Sequence, residues 1–362
     1  MSGHNNVIEE VNIIEKALTN ERIEILDYLR GFALIGILLV NILPLLSVAD
    51  PQPGSIHAAI NVILQLGVES RFMVMFSFLF GVGFYIFYSR AKEKGTNSLV
   101  LFICRLLALL IFGFIHSQFH PGEALLPYAI VGFILIPFYR VNKKINLSLA
   151  LVLLVAAGAT GMKALLIQPL FLLGLAVGQY GIFQHISKYM PRIIVVQRVT
   201  MVLTVIGLIV QYQLIPQNVP FSYMVIVDSA MIESELNQIW YYTIAATIVG
   251  LLMSTWYVTT LMRLLQNRTA QKVLAPLKYY GRMALTNYIS QTVIILLIGY
   301  GFGVKGNIDM LSAAFMSLGI HAVLMLFSRW WLSRFTMGPL EWIWRLFTYR
   351  RMIPLKRQQQ VG

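Results

Sequence analysis

Apolar runs of 18 or more residues recur along the chain, and this feature restricts the fold more than any other. Runs of that length are long enough to cross a bilayer as α-helices. They number about ten and lie near residues 29–49, 68–89, 99–118, 124–140, 145–162, 164–183, 199–216, 239–262, 283–303 and 310–332. Only 12% of the 362 residues are charged, whereas soluble domains carry about 25%. The sequence therefore predicts an all-α fold, a polytopic transmembrane helical bundle.

The positions of the basic residues predict how this bundle is oriented. Cytoplasmic loops of membrane proteins carry an excess of Lys and Arg. If the N-terminus is cytoplasmic, the 28 Lys and Arg residues all fall on the cytoplasmic side except Arg71, Lys163 and Lys305. We therefore expect a multi-pass protein of the plasma membrane with both termini in the cytoplasm.

The formal net charge of +13 could indicate a nucleic-acid partner. The basic residues stand at the ends of spans rather than in one run, so we expect no nucleic acid and take the lipid bilayer as the partner of this charge. The single cysteine excludes an internal disulfide. The sequence leaves open whether the chain forms a homodimer.

The spans follow one another closely, so a single membrane domain is expected, with bounds at residues 29–332. Residues 1–28 are predicted to form a cytoplasmic N-terminal segment, and residues 333–362 a basic, amphipathic cytoplasmic tail. Residues 51–67 are only moderately apolar and predict an interfacial helix. The first apolar run is too long for the core of a cleavable signal peptide, so none is expected.

Polar side chains inside spans are costly and usually functional. In the first span Asp27 and Arg30 are three residues apart, so they share a helix face and can pair. Asn41 lies on the same face, roughly 16 Å beyond Arg30. Two alternatives stay open: a structural ion pair for Asp27 and Arg30, and a hydrogen bond between helices for Asn41.

The third span repeats this spacing, with Arg105 at its inner end and His116 eleven residues further. His120 follows one turn later, and a Pro-Gly break separates it from Glu123. A His near a carboxylate is a general acid–base arrangement, in which the carboxylate orients the imidazole. A buried structural His beside an interfacial Glu is the alternative, and a metal site is disfavoured because no fourth ligand is evident. His57, on the outer side before the second span, either approaches His116 or is a solvated loop residue.

Two further stretches place polar groups near the inner boundary. Arg282 precedes a span in which Asn287 and Gln291 share a face, one turn apart. These amides either line a polar path or bond a neighbouring helix. Glu341 and Arg345 form an i,i+4 pair that also fits an interfacial amphipathic helix.

Five stretches are long and ordered enough for comparison with known families: "LDYLRGFALIGILLVN", "FSFLFGVGF", "GFIHSQFHPGEALLPYAIVG", "GRMALTNYISQ" and "GPLEWIWRLFTY". Together they resemble the bacterial YeiB-type membrane proteins, a family named as one of unknown function. The resemblance runs from about residue 22 to residue 350. That family is similar to a wider group of transmembrane acyltransferases. The group includes the lysosomal heparan-alpha-glucosaminide N-acetyltransferase and the bacterial O-acyltransferases of surface polysaccharides.

This resemblance implies a transmembrane acyltransferase. Its co-substrate would be cytoplasmic acyl-CoA, with acetyl-CoA the expected form and no metal required. The acceptor would be a hydroxyl or amine of an envelope glycan, a lipid or a small molecule at the outer face. The coenzyme A-binding residues would be Asp27, Arg30, Arg105, Arg282, Asn287 and Gln291. The catalytic residues would be His116, Glu123, Asn41 and His57.

Two positions depart from the related acyltransferases. The polysaccharide O-acyltransferases typically have a catalytic His ten residues beyond the glycine of the entrance motif; counted from Gly31, that position is Asn41. An amide cannot act as a base, so Asn41 is expected to stabilise the oxyanion, and His116, or else His57, to supply the base. Glu123 stands where the family has Asp after Gly122, which keeps the carboxylate on a longer arm.

Two other classes of function stay open from the sequence. A transporter or flippase for a small solute or lipid would use the same polar residues to line a pathway. The lack of a convincing internal repeat weakly disfavours it. A non-catalytic membrane sensor is the other alternative. The sequence does not name the acceptor or the acyl chain length, nor does it decide whether an acyl-His intermediate forms.

Overall fold

The computed structural model describes residues 23–216, 233–350 and 352–356, and within them the chain forms α-helices and no strand. The α-helices are Glu24–Leu45 (α1), Ile56–Gly67 (α2), Arg71–Glu93 (α3), Ser98–Ser117 (α4), Leu125–Leu135 (α5), Lys143–Thr160 (α6), Ile167–Gln179 (α7), Ile186–Gln213 (α8), Glu233–Leu264 (α9), Arg268–Val273 (α10), Ala275–Arg282 (α11), Ala284–Gly301 (α12), Met310–Arg334 (α13) and Pro339–Tyr349 (α14). Short 3-10 helices follow α5 at Ile136–Arg140 and precede α7 at Lys163–Leu166.

The predicted all-α polytopic bundle is confirmed. Eight helical segments of the described chain are long and apolar enough to cross a membrane, with α2 and α3 counted as one run, Ile56–Glu93. Two shorter apolar segments, Leu125–Arg140 and Lys163–Gln179, lie at the positions of the other two predicted spans, and that these two cross the membrane stays a prediction. A helix is present within residues 51–67, namely α2, while its place in the membrane interface stays a prediction.

Glycines in the sequence motifs mark the places where helix backbones touch. A Cβ on Gly31 in α1 would lie 2.0 Å from the main-chain oxygen of Leu277 in α11. A Cβ on Gly281 in α11 would lie 1.9 Å from the main-chain oxygen of Asp27. Real Cβ atoms do not come so close, so both positions require glycine for this close helix packing. The crossing fixes the start of α1 against α11, and Asp27 and Arg30 stand beside it.

A second glycine crossing holds α3 against α7. A Cβ on Gly81 would lie 2.0 Å from the main-chain oxygen of Phe171, and a Cβ on Gly174 would lie 2.1 Å from that of Phe78. The stacked rings of Phe80 and Phe171, with centroids 4.4 Å apart, lie beside this contact. The two crossings position α1 and α3, two helices that line the cavity described below.

The segment after α13 folds back against one end of the bundle. Within α14, Trp344 donates its indole N–H to the main-chain oxygen of Arg105 in α4, over 2.8 Å. Glu341 lies at the start of α12, where one carboxylate oxygen accepts the backbone N–H groups of Leu285 (2.7 Å) and Thr286 (3.1 Å). The first N–H groups of a helix lack partners within the helix, so the Glu341 carboxylate from α14 caps α12.

Candidate functional site

A cavity of about 1420 Å³ runs through the bundle. Arg30 and Asn41, which are eleven residues apart in α1, both line it, so it follows α1 for roughly 16 Å. Basic side chains line one end, which we call the basic end: Arg30, Arg90, Lys94, Arg105, Arg282 and Arg345. Other polar residues line the opposite end: Asn41, Glu69, Ser70, Glu123, Lys163 and Tyr288. The cavity therefore joins two chemically different ends of the molecule.

The arginines of the basic end are held by nearby groups. Arg30 lies 3.4 Å from the carboxylate of Asp27, whose residue is only 1% exposed. The guanidinium of Arg105 packs over Trp344, 3.8 Å from the ring centroid, and also over Phe87 at 4.9 Å. Arg282 donates to the main-chain oxygen of Thr336 over 2.6 Å.

Cations outnumber carboxylates at the basic end of the cavity. Asp27 and Glu341 are the acidic residues there among the described lining residues, against the six cations named above. Guanidinium groups form paired hydrogen bonds with phosphate oxygens. This end is therefore suited to a phosphorylated ligand.

Asn41 lines the cavity toward the end opposite the basic end and is only partly buried. Within the described part of the chain, its side-chain amide has no hydrogen-bond partner. An amide N–H group in such a position can donate to a ligand oxygen in the cavity.

His116 and Glu123 come together at the opposite end of the bundle. Their side chains are 4% and 2% exposed, with Nδ1 of His116 lying 3.5 Å from Oε1 of Glu123. The Glu123 carboxylate also accepts the backbone N–H groups of Leu125 and, over 2.9 Å, Leu126. Glu123 thus caps the start of α5 and faces the cavity, with His116 behind it.

The other nitrogen of His116 is also engaged. Nε2 lies 2.9 Å from Oγ1 of Thr292 in α12. This contact and Glu123 together orient the imidazole from both sides. His116 is absent from the cavity wall itself, and Glu123 lies between its ring and the cavity.

His120 stacks on His116, with ring centroids 5.2 Å apart. It is 2% exposed, and neither of its ring nitrogens has a hydrogen-bond partner among the described residues. Burial lowers the pKa of His120 to about 4, so this ring is neutral near pH 7. The stack provides His116 with a neutral, polarisable neighbour.

Besides His116, three predicted site residues lie away from the cavity wall. His57 does not pair with His116: its Nδ1 is 3.6 Å from the carboxylate of Asp309, just before α13. Asn287 donates to the main-chain oxygen of Tyr280 (2.8 Å) and to Ser328 (2.9 Å), and Gln291 donates to the Tyr280 hydroxyl (2.5 Å).

From the sequence, Asn287 and Gln291 could either line a polar path or bond a neighbouring helix. In the structure their side-chain amides bond neighbouring helices within the bundle. His57, Asn287 and Gln291 therefore do not contact the cavity.

Two groups at the opposite end of the cavity were not predicted from the sequence. Tyr288 lies on the wall, and its hydroxyl accepts the backbone N–H of Ala124 over 3.4 Å. Glu69 and Lys163 form an ion pair on the same wall. The sequence did contain a signal for the Glu69–Lys163 pair, since Lys163 and Arg71 are two of the three basic residues on the predicted outer side.

Comparison with known proteins places the chain in a family. A family model described as a protein of unknown function (DUF418) matches residues 177–351. An uncharacterized 39.9 kDa protein in the amylase 3' region of Bacillus acidopullulyticus is 43% identical, over 93% of this chain and 96% of that protein. YxaH of Bacillus subtilis (strain 168) is 29% identical over 96% and 99% of the two chains, and YeiB of Escherichia coli (strain K12) is 25% identical over 92% and 98%.

No solved structure matches the chain. The similarity to the Bacillus acidopullulyticus protein covers nearly the whole of both chains, and the family model covers the second half. The resemblance to YeiB-type proteins seen in the motifs is confirmed by the match to YeiB itself. The chain therefore belongs to the DUF418 family of YeiB-type membrane proteins.

Proposed function

We propose that this protein is a transmembrane acyltransferase. It transfers an acyl group, with acetyl the expected one, from acyl-CoA on the cytoplasmic side to a hydroxyl or amine acceptor on the other side. The observation that carries the proposal is the single cavity that joins the cluster of arginines to Asn41 and Glu123. An enzyme that uses a donor on one side of a membrane and an acceptor on the other needs such a passage.

The cavity is suited to coenzyme A in both size and lining. Pockets for small ligands usually measure ~300–1,000 Å³, and this cavity of about 1420 Å³ has room for a longer molecule. Arg30, Arg105 and Arg282 would bind the phosphates at the basic end. The pantetheine arm would pass the apolar middle of the wall, which includes Val40 and Phe80.

The reaction requires the acceptor to attack the thioester carbonyl carbon. The new bond forms between that carbon and the acceptor oxygen or nitrogen, the C–S bond breaks, and coenzyme A leaves as a thiolate that then takes up a proton. The side-chain N–H of Asn41 would donate to the carbonyl oxygen as negative charge develops on it. The proton of the acceptor would pass to the Glu123–His116 pair, in which the carboxylate faces the cavity and the imidazole lies behind it.

Direct transfer is favoured over an acyl-His intermediate. The Nε2 atom of His116 lies against Thr292, and Nδ1 faces Glu123. To carry the acyl group, the ring would have to leave both contacts and turn past the carboxylate. In direct transfer it keeps both.

The first experiment measures coenzyme A binding to the purified protein by calorimetry. Arg30→Gln and Arg105→Gln are each expected to weaken binding by about 10-fold or more, because a hydrogen bond to a charged group contributes about 1.5–3 kcal/mol. Arg268→Gln is the matched control, since Arg268 is exposed in α10 and does not line the cavity. No saturable binding, or equal weakening by Arg268→Gln, would contradict the proposal.

The second experiment follows radiolabel from acetyl-CoA into membrane and envelope material of cells that produce the protein. We expect His116→Ala to abolish the protein-dependent incorporation and to leave coenzyme A binding unchanged. His185→Ala, an exposed His outside the cavity, is the control. Full incorporation of the label with His116→Ala would rule out a role for His116 in acyl transfer. Substrate flux through the protein without any need for coenzyme A would favour the transporter or flippase alternative instead.

A further inference from the structure

A second charged cluster lies at the end of the cavity opposite the arginines. Glu69 stands between α2 and α3, and Lys163 begins the 3-10 helix before α7; both line the cavity and form an ion pair with each other. The Glu69 side chain is 10% exposed and that of Lys163 is 36% exposed. Ser70 next to them also lines the cavity, and its φ of 66° is rare for a residue other than glycine. Such strained residues concentrate at binding sites.

Arg71, the next residue, is buried behind this pair and is only 1% exposed. Its guanidinium donates to the main-chain oxygen of Glu69 (2.6 Å) and to the side-chain oxygen of Gln211 (2.9 Å). Its Nε atom has no hydrogen-bond partner among the described residues. Arg71 therefore bonds neutral oxygens, and among the described residues the one carboxylate beside it, that of Glu69, is already paired with Lys163.

The charges of this cluster do not balance. The described residues in contact here include two cations, Arg71 and Lys163, and one carboxylate, that of Glu69. Keeping an excess positive charge away from water is costly unless an anion compensates for it. A ligand that brings one negative charge into the cavity would supply that compensation.

We propose that Lys163, supported by Arg71, binds an anionic group, a phosphate or a carboxylate, carried by the acyl acceptor. Lys163 is the member on the cavity wall that has room to move, and the anion would take the place of the Glu69 carboxylate as its partner. Naming the ligand as the acceptor rests on the proposed function. The anion site itself rests on the charge imbalance alone.

The connectivity supports the acceptor rather than the donor as the ligand. Both Glu69 and Lys163 lie in connections at the same end of the bundle as Glu123, because α3 and α7 each start at that end. The arginines suited to coenzyme A lie at the other end of the cavity. An anion held by Lys163 would thus anchor an acceptor whose nucleophilic group reaches toward Glu123.

Anion binding is tested on the full-length protein in non-ionic detergent by measuring the thermal unfolding midpoint during titration. The probes are glycerol 1-phosphate as a free phosphate, phosphatidylglycerol as a lipid-borne one, and zwitterionic phosphatidylcholine as the control lipid. We expect saturable stabilisation by an anionic probe, and Lys163→Gln should weaken binding of that probe at least tenfold. Glu69→Gln should strengthen binding of the probe several-fold, because Lys163 then loses its internal partner. Lys305→Gln, at the same end but off the cavity wall, should change nothing.

The results distinguish a ligand site from a structural ion pair. Stabilisation by both anionic probes indicates a recognised phosphate group, and stabilisation by phosphatidylglycerol alone indicates a lipid headgroup. Equal stabilisation by phosphatidylcholine, no effect of Lys163→Gln, or weaker anion binding with Glu69→Gln would overturn the proposal. Coenzyme A binding is measured in parallel and should survive Lys163→Gln. Failure of coenzyme A to bind at all would contradict the proposed function and leave the anion site standing.

Discussion

At the scale of single residues, the Glu123 side chain combines three contacts in one place. Its carboxylate caps α5, approaches His116 and faces the cavity at the same time. The two backbone N–H groups and the N-terminal end of α5 both stabilise negative charge at this point. Glu123 thus lies between the cavity and His116, where its side chain could pass a proton between a ligand and the imidazole.

A substitution of Glu123 tests this role. Glu123→Gln should lower acyl transfer by at least ~10²-fold, the usual range for loss of a general acid–base group, and leave coenzyme A binding unchanged. Glu123→Asp keeps the carboxylate on a shorter arm and should recover part of the activity. The measurement is radiolabel transfer from acetyl-CoA, with binding followed by calorimetry. Wild-type transfer by Glu123→Gln would show that the carboxylate has no chemical role.

At the scale of elements, α14 connects the basic end of the cavity to the bundle. Its Glu341 caps α12, which carries Thr292 and Tyr288 toward the other end of the cavity. Its Trp344 covers the guanidinium of Arg105. The segment that the sequence predicts as a tail therefore fixes two helices of the site.

Removal of the Glu341 cap should be measurable as lost stability. Glu341→Ala leaves the N–H groups of Leu285 and Thr286 without their acceptor, and loss of a helix cap costs about 0.5–2 kcal/mol. Glu24→Ala is the control, because Glu24 forms an ion pair with Lys278 at the surface, and such pairs contribute ~0–1 kcal/mol. We expect a lower thermal unfolding midpoint for Glu341→Ala than for Glu24→Ala. Equal midpoints would show that the cap is not important for stability.

At the scale of the whole molecule, an acyltransferase that uses cytoplasmic acyl-CoA needs its basic end to face the cytoplasm. Cys104 is the only cysteine of the chain, so Cys104→Ser provides a background for single-cysteine labelling. Lys272→Cys marks the basic end and Asn307→Cys the opposite end; both positions are exposed.

The labelling experiment uses a membrane-impermeant maleimide. In intact cells it should react with Asn307→Cys and spare Lys272→Cys, and inverted vesicles should give the reverse. Labelling of Lys272→Cys in intact cells would contradict the positive-inside prediction.

Hydropathy was sufficient to predict the helical bundle, because every span must satisfy its own backbone hydrogen bonds in lipid. Spacing along a helix also brought Arg30 and Asn41 to one face, and both line the cavity. Spacing does not reveal which helix that face meets. For this reason it did not anticipate that Gln291 bonds Tyr280.

The cluster around Lys163 was not predictable for the same reason. Glu69 and Lys163 are 94 residues apart in sequence, and they meet only because α3 packs on α7. The positive-inside rule marked Arg71 and Lys163 as exceptions without indicating that they share a site. Contacts between distant spans depend on the packed structure, and no local pattern records them.

The central claim, that one cavity binds acyl-CoA across the membrane, is tested most directly by a cryo-electron microscopy structure with a non-hydrolysable acyl-CoA analogue. We expect density for the nucleotide and its phosphates beside Arg30 and Arg105, with the arm directed along α1 so that the acyl end lies between Asn41 and Glu123. An analogue bound outside the cavity, or a cavity that stays empty at saturating analogue, would contradict it.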